Sequence, residues 1–155
     1  MKPFLLSVAL IFPAAICVCL MAEAADKIAL RNLAKGAFSG ISEAKQEVIK
    51  DQPAWDKFWA AHDVTAKPGR PIPKVDFSRE MVIGVTMGKK NSGGFSIEIT
   101  AVEPTAATLK ISVKRTLPTP GAIVITALTA PFHFVAIPKS DLKPEFVPAK
   151  EADKK

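Results

Sequence analysis

The residues that most invite a chemical reading lie between Gly88 and Ile99, in the stretch GKKNSGGFSIEI. Glycines, lysines and a serine are the groups that phosphate-holding loops use. A P-loop requires G-x-x-x-x-G-K-[ST] after a strand and at the start of a helix, because its lysine and hydroxyl must reach the phosphates and the magnesium. The interval from Gly88 to Gly93 fits, but Gly94 and Phe95 occupy the positions of Lys and Ser/Thr. An alternating run follows in place of a helix, and G-x-G-x-x-G does not match either. The stretch therefore reads as two strands joined by a turn, with glycines supplying positive φ. Lys89, Lys90, Asn91 and Ser92 are expected at its exposed tip.

The histidines are His62 and His133. Any Ser-His-Asp set would need one of them as base, and no G-x-S-x-G elbow accompanies them. No H-x-x-x-H or H-x-H spacing supports a metal site. His133 lies in PFHFV, opposite Phe132 and Phe134 in an alternating run, so it reads as a strand residue, either satisfied in a core or exposed on a face. Glu98 and Glu103 read as strand-surface residues and make no catalytic carboxylate pair. The pattern calls for no catalytic residue, no metal and no cofactor. The net charge is +6 and mostly lysine, without a single tyrosine. Nucleic-acid readers favour arginine for bidentate contacts and aromatics for stacking, so that class is set aside. A scattered basic surface suits solvation or an acidic partner.

The first residues read as an export signal. Lys2 gives a positive start, Phe4 to Met21 is apolar apart from Ser7 and Pro13, and Ala22-Glu23-Ala24 offers an A-x-A cleavage site. Cleavage after Ala24 would yield an exported protein, periplasmic or secreted, with no membrane attachment. The alternative is an uncleaved anchor, since the apolar run reaches the lower edge of a spanning length. A lipid anchor on Cys17 or Cys19 is disfavoured, because the bulky Ile16 and Val18 precede them. Both cysteines fall within this signal, so the remaining domain has no disulfide, thiol nucleophile or thiolate ligand. The expected organisation is a signal at 1–24, one domain at 25–147 and a charged, disordered tail at 148–155.

The elements that must position these residues are mainly strands. Ile28, Leu30 and Leu33 mark a first strand or lead-in, and Gly36 to Ile41 reads as strand-like. Lys45 to Ile49 is a strand or the start of a helix. Asp51-Gln52-Pro53 is a helix start, with Asp as cap and Pro in the first turn. Trp55, Phe58 and Trp59 then share one face at i, i+3 and i+4, giving a helix from Pro53 to His62. His62 is expected towards its other side or its end. Ala66 to Pro73 is a proline loop. Met81 to Met87 is apolar and β-branched throughout, as a strand buried on both faces must be. Phe95 to Thr100 and Leu109 to Lys114 alternate strictly, as two antiparallel strands turning at Glu103-Pro104-Thr105. After Leu117-Pro118-Thr119-Pro120-Gly121, strands are expected at Ala122 to Leu128 and Phe132 to Ile137. The fold class is mainly β with one short helix (α+β), an antiparallel sheet forming a sandwich or partial barrel.

VDFSREMVIGV, GKKNSGGFSIEI, LPTPG and LTAPFHFVAIPK together resemble the C-terminal domain of the PrcB family of protease complex subunits. VIKDQPAWDKFWAAH resembles that family's strand-then-helix entry, so the likeness runs from about Phe38 to Lys139. The resemblance implies an exported, non-catalytic accessory domain that stabilises or docks to a partner protease. It carries across no catalytic residues. The matching positions Gly88, Gly93, Gly94, Pro118, Pro120, Thr129, Pro131 and Phe132 read first as fold-determining. The candidate partner-binding residues are Lys89, Lys90, Asn91, Ser92, Pro131, Phe132 and His133. Two other readings stand beside this one. One is a small inhibitor similar to the chagasin-like β-sandwich inhibitors, with the GGF and TAPF turns together at one end. The other is a hydrolase or metal enzyme built on His62 or His133.

Overall fold

The computed structural model describes residues 27–63 and 69–149, so the expected signal at 1–24 and the last residues of the expected tail lie outside the described residues. The element order is β1 (Arg31–Gly36), β2 (Ala44–Ile49), α1 (Gln52–His62), β3 (Glu80–Met87), β4 (Ser96–Pro104), β5 (Thr108–Thr116), β6 (Phe132–Pro138) and β7 (Lys143–Pro148). Two sheets form. One has four strands in the order β1-β6-β3-β2, all antiparallel neighbours. The other has three in the order β4-β5-β7, with β7 parallel to β5.

The alternation of side chains along β3 and β6 builds two cores from one sheet. Met81, Ile83, Val85, Val135 and Ile137 face the second sheet, where Ile97, Ile99, Val102, Leu109, Ile111 and Val113 meet them. Val82, Phe132 and Phe134 face the other way, onto Trp55, Phe58 and Trp59 of α1. The result is three layers: helix, four-stranded sheet, three-stranded sheet. The uninterrupted apolar run of β3 is thereby explained, since water touches neither of its faces.

The helix begins where expected. Asp51 Oδ1 accepts from the Ala54 amide at 2.8 Å, and proline occupies the first turn. The indole nitrogens of Trp55 and Trp59 donate to the carbonyls of Pro73 and Arg70. A proline loop is short of donors but rich in carbonyls, so it suits this covering role. Gly84 makes the helix contact possible: a Cβ there would lie 2.9 Å from Phe58 Cζ.

Several expectations are corrected. β3 and β4 do not form a hairpin, because they belong to different sheets and the GKKNSGG segment carries the chain across the layers. A strand buried on both faces must be central, and β2 and β6 already flank β3. Gly36 to Ile41 is not a strand; β1 ends at Gly36. Ala122 to Leu128 is not a strand either, since its backbone pairs with no strand. Lys143–Pro148, read as the end of the domain and the start of its tail, is β7, seated on β5 through Phe146 opposite Ile111. His62 lies in the core, not on the outer side of α1: seven residues after Trp55 is two helical turns, which returns it to the aromatic face.

Candidate functional site

The loops that carry the sequence motifs come together at one end of the sandwich. Lys90 and Thr129 exchange two backbone hydrogen bonds, of 2.7 and 2.9 Å. Thr129 Oγ1 donates to the Ser92 carbonyl at 2.8 Å. The Gly93 amide donates to the Ile125 carbonyl at 2.9 Å. Gly94 adopts φ +85, and a Cβ at this position would meet Pro118 Cβ and Val124 Cγ1 at 2.9 Å each. The glycine pair, the LPTPG loop and the TAPF turn thus form one interlocked cluster. Gly88, at φ 71, starts it, and the Met87 amide donates to the Pro131 carbonyl below it.

The expected binding residues divide within this cluster. Lys89 and Asn91 are exposed, and Lys90 and Ser92 are half-buried, with Lys90 Nζ 5.7 Å from the Phe95 ring centre. Pro131, Phe132 and His133 are buried, so the single chain does not present them to a partner. Phe132 packs under α1, its ring 4.2 Å from the ring of His62. His133 faces the second sheet. Its Nδ1 accepts from the Ile99 amide at 2.9 Å, where β4 bulges between Ile99 and Ala101. An accepting Nδ1 is unprotonated, so the ring is neutral with its proton on Nε2. Burial holds the pKa of His133 below the usual histidine range, and Lys35 adds to this while Glu98 opposes it. Lys35 and Glu98 pair with each other at 2.7 Å.

His62 has a similar structural part. Its Nδ1 is 3.0 Å from Ser39 Oγ, and Nε2 has no partner among the described residues. Burial pushes its pKa down to about 4; Arg70 contributes, and Asp63 opposes. A charged ring would carry an N–H with no acceptor, inside a box of Trp59, Phe132 and Phe134. The Ser39 hydroxyl bonds His62, but no carboxylate hydrogen-bonds either imidazole among the described residues, and no group of three or more His, Cys, Asp or Glu side chains gathers there at metal-binding distance. A shallow open groove of about 500 Å³ lies between α1 and the lead-in to β2, lined by Ile41, Glu43, Lys45, Lys57 and Phe58 among others. Lys45 and Glu47 on its wall form an exposed ion pair at 3.9 Å.

One feature was missed by sequence reasoning. Leu117, Ile123, Ile125 and Leu128 stand exposed along the loop between β5 and β6, with Ile123 wholly in solvent. The alternating β-branched residues gave a strand signal that hid this outcome; the proline-glycine entry was the clue that the segment leaves the sheet.

The fold and the site define a mainly β, two-sheet domain with an apolar, basic-flanked loop cluster at one end. Residues 81–138 match the family model described as PrcB C-terminal, which covers β3 through β6 and every loop of that cluster. The family resemblance read from the motifs is thus shown for this segment. No curated protein and no solved structure matches the chain. No helix among the described residues is long and apolar enough to cross a membrane.

Proposed function

We propose that this chain is an exported accessory domain that docks to a partner protein and stabilises it, the partner being a protease. The observation that carries the reading is the interlocked loop cluster, which lies within the segment matching a family of protease complex subunits. Loops held on a rigid sheet are where such scaffolds place binding residues. Lys89, Lys90, Asn91 and Ser92 line the basic side of the cluster and suit an acidic surface on the partner. The signal at 1–24 would deliver the domain across a membrane and be removed after Ala24.

The test is crosslinking in intact cells, with the chain tagged at its C-terminus and expressed at natural level, followed by mass spectrometry of both the adduct and the mature N-terminus. One stoichiometric protease partner supports the reading. Recovery of only the free domain, together with inhibition of a cysteine or serine protease by the pure protein, replaces it with the inhibitor reading.

A further inference from the structure

We propose that the segment from Ala122 to Leu128 is a docking strand, which adds by main-chain hydrogen bonds to an open strand edge of a partner protein with acidic surroundings. The inference rests on the reading of the chain as a protein-binding domain and adds to it the element and the mode.

Three observations carry it. The first is unfilled backbone chemistry. Among the described residues, no hydrogen bond involves the amides of Ile123, Val124, Ile125, Thr126, Ala127 or Leu128, and of their carbonyls only that of Ile125 accepts one. The second is composition. AIVITAL is uncharged, rich in β-branched residues and free of proline, the character of a strand that lacks a neighbour. Natural open edges are normally guarded by charge, proline or a covering element, and this segment has none of them. Its large side chains are presented to solvent, and Phe38 joins them, next to Ala37, whose carbonyl accepts from Ala130. The third is the anchoring. The Gly93–Ile125 and Lys90–Thr129 bonds hold both the middle and the end of the segment on the sandwich, so pairing need not order a free tail.

The same observations choose the occupant. The two chain stretches that meet here, 88–96 and 114–132, contain Lys89, Lys90, Lys114 and Arg115 and no carboxylate; Glu98, opposite Lys114 on β4, is paired with Lys35. A second copy would bring like charges together, which favours a different protein with acidic residues beside its edge. A lipid surface would attract the cations but would leave the unpaired amides in hydrocarbon without partners. Strand addition satisfies both demands, with main-chain bonds giving affinity and the side chains giving selectivity.

The test uses the full chain in its native cells, with a photoreactive phenylalanine at Ile123 and, as comparisons, at the exposed Lys57 and Lys143. Light should join position 123 to one protein, through an edge strand with acidic neighbours. Thr126→Pro, which removes an amide that bonds to nothing within the domain, should lower that adduct at least tenfold. Thr126→Val, which keeps the amide, should not. Circular dichroism melts of both purified variants should match the parent, separating lost docking from lost folding. An undiminished adduct in Thr126→Pro overturns the strand mode, as does an adduct to a lipid, to a second copy or to the chain's own residues 1–24. A partner joined from Lys57 or Lys143 but not from position 123 overturns the docking strand and leaves the accessory reading standing. No protein adduct from any position overturns both.

Discussion

His62 shows how one side chain can couple this fold to pH. Its folded pKa of about 4 lies below the ordinary value of 6.5, so the unfolded chain takes up the proton first. The stability contribution is complete above about pH 6.5 and is lost as pH falls towards 4, on the order of 3 kcal/mol in all. His133 is shifted in the same direction, and its protonation would also remove the acceptor that Ile99 uses. Urea titrations between pH 7 and 4 should show steadily falling stability, and His62→Leu should flatten most of that slope. Gly84 and Gly94 offer tests that do not depend on pH. Gly84→Ala places a methyl against Phe58 and should cost roughly 1–3 kcal/mol by overpacking. Gly94→Ala puts a side chain at positive φ against Pro118 and should cost a similar ~1–3 kcal/mol, measured by thermal unfolding.

Among the elements, α1 was legible because its signals are local. Asp51, Pro53 and the aromatic spacing all lie within a few residues, and Asp51→Ala should cost about 0.5–2 kcal/mol through loss of the cap. β3, β4, β5 and β6 were legible for the same reason, β4 and β5 by strict alternation and β3 and β6 by short continuous apolar runs. β7 was not. KPEFVP has two prolines and no alternation, and it becomes a strand only because β5 offers an open parallel edge for it. Phe146→Ala should therefore destabilise the protein by about 1–2 kcal/mol, the range for a half-buried aromatic that loses its contacts. The opposite error occurred at Ala122 to Leu128, where strand propensity was present but the segment pairs with no strand edge. Propensity for β structure describes how well a residue fits a pleated surface, and such a surface must exist before it counts.

For the whole molecule, the four-stranded sheet is the shared wall of two cores, so damage on either side should be felt throughout. Trp55 and Trp59 report the helix side, and circular dichroism reports the strands. The two probes should give coincident urea transitions, and separate midpoints would show that the three-stranded sheet unfolds independently.

The sequence by itself determined the class of the fold, the helix with its cap and aromatic face, the doubly buried β3, and the family likeness later matched over residues 81–138. These follow from local periodicity, turn chemistry and motif spacing, all written in consecutive residues. The tertiary structure alone decided which sheet each strand joined, and that the GKKNSGG stretch crosses between layers. It also decided that His62, Phe132 and His133 are interior, and that AIVITAL joins neither sheet and is held against the GKKNSGG stretch. Those outcomes depend on which edges and faces remain free once the other strands are placed, and no single stretch of the chain encodes that.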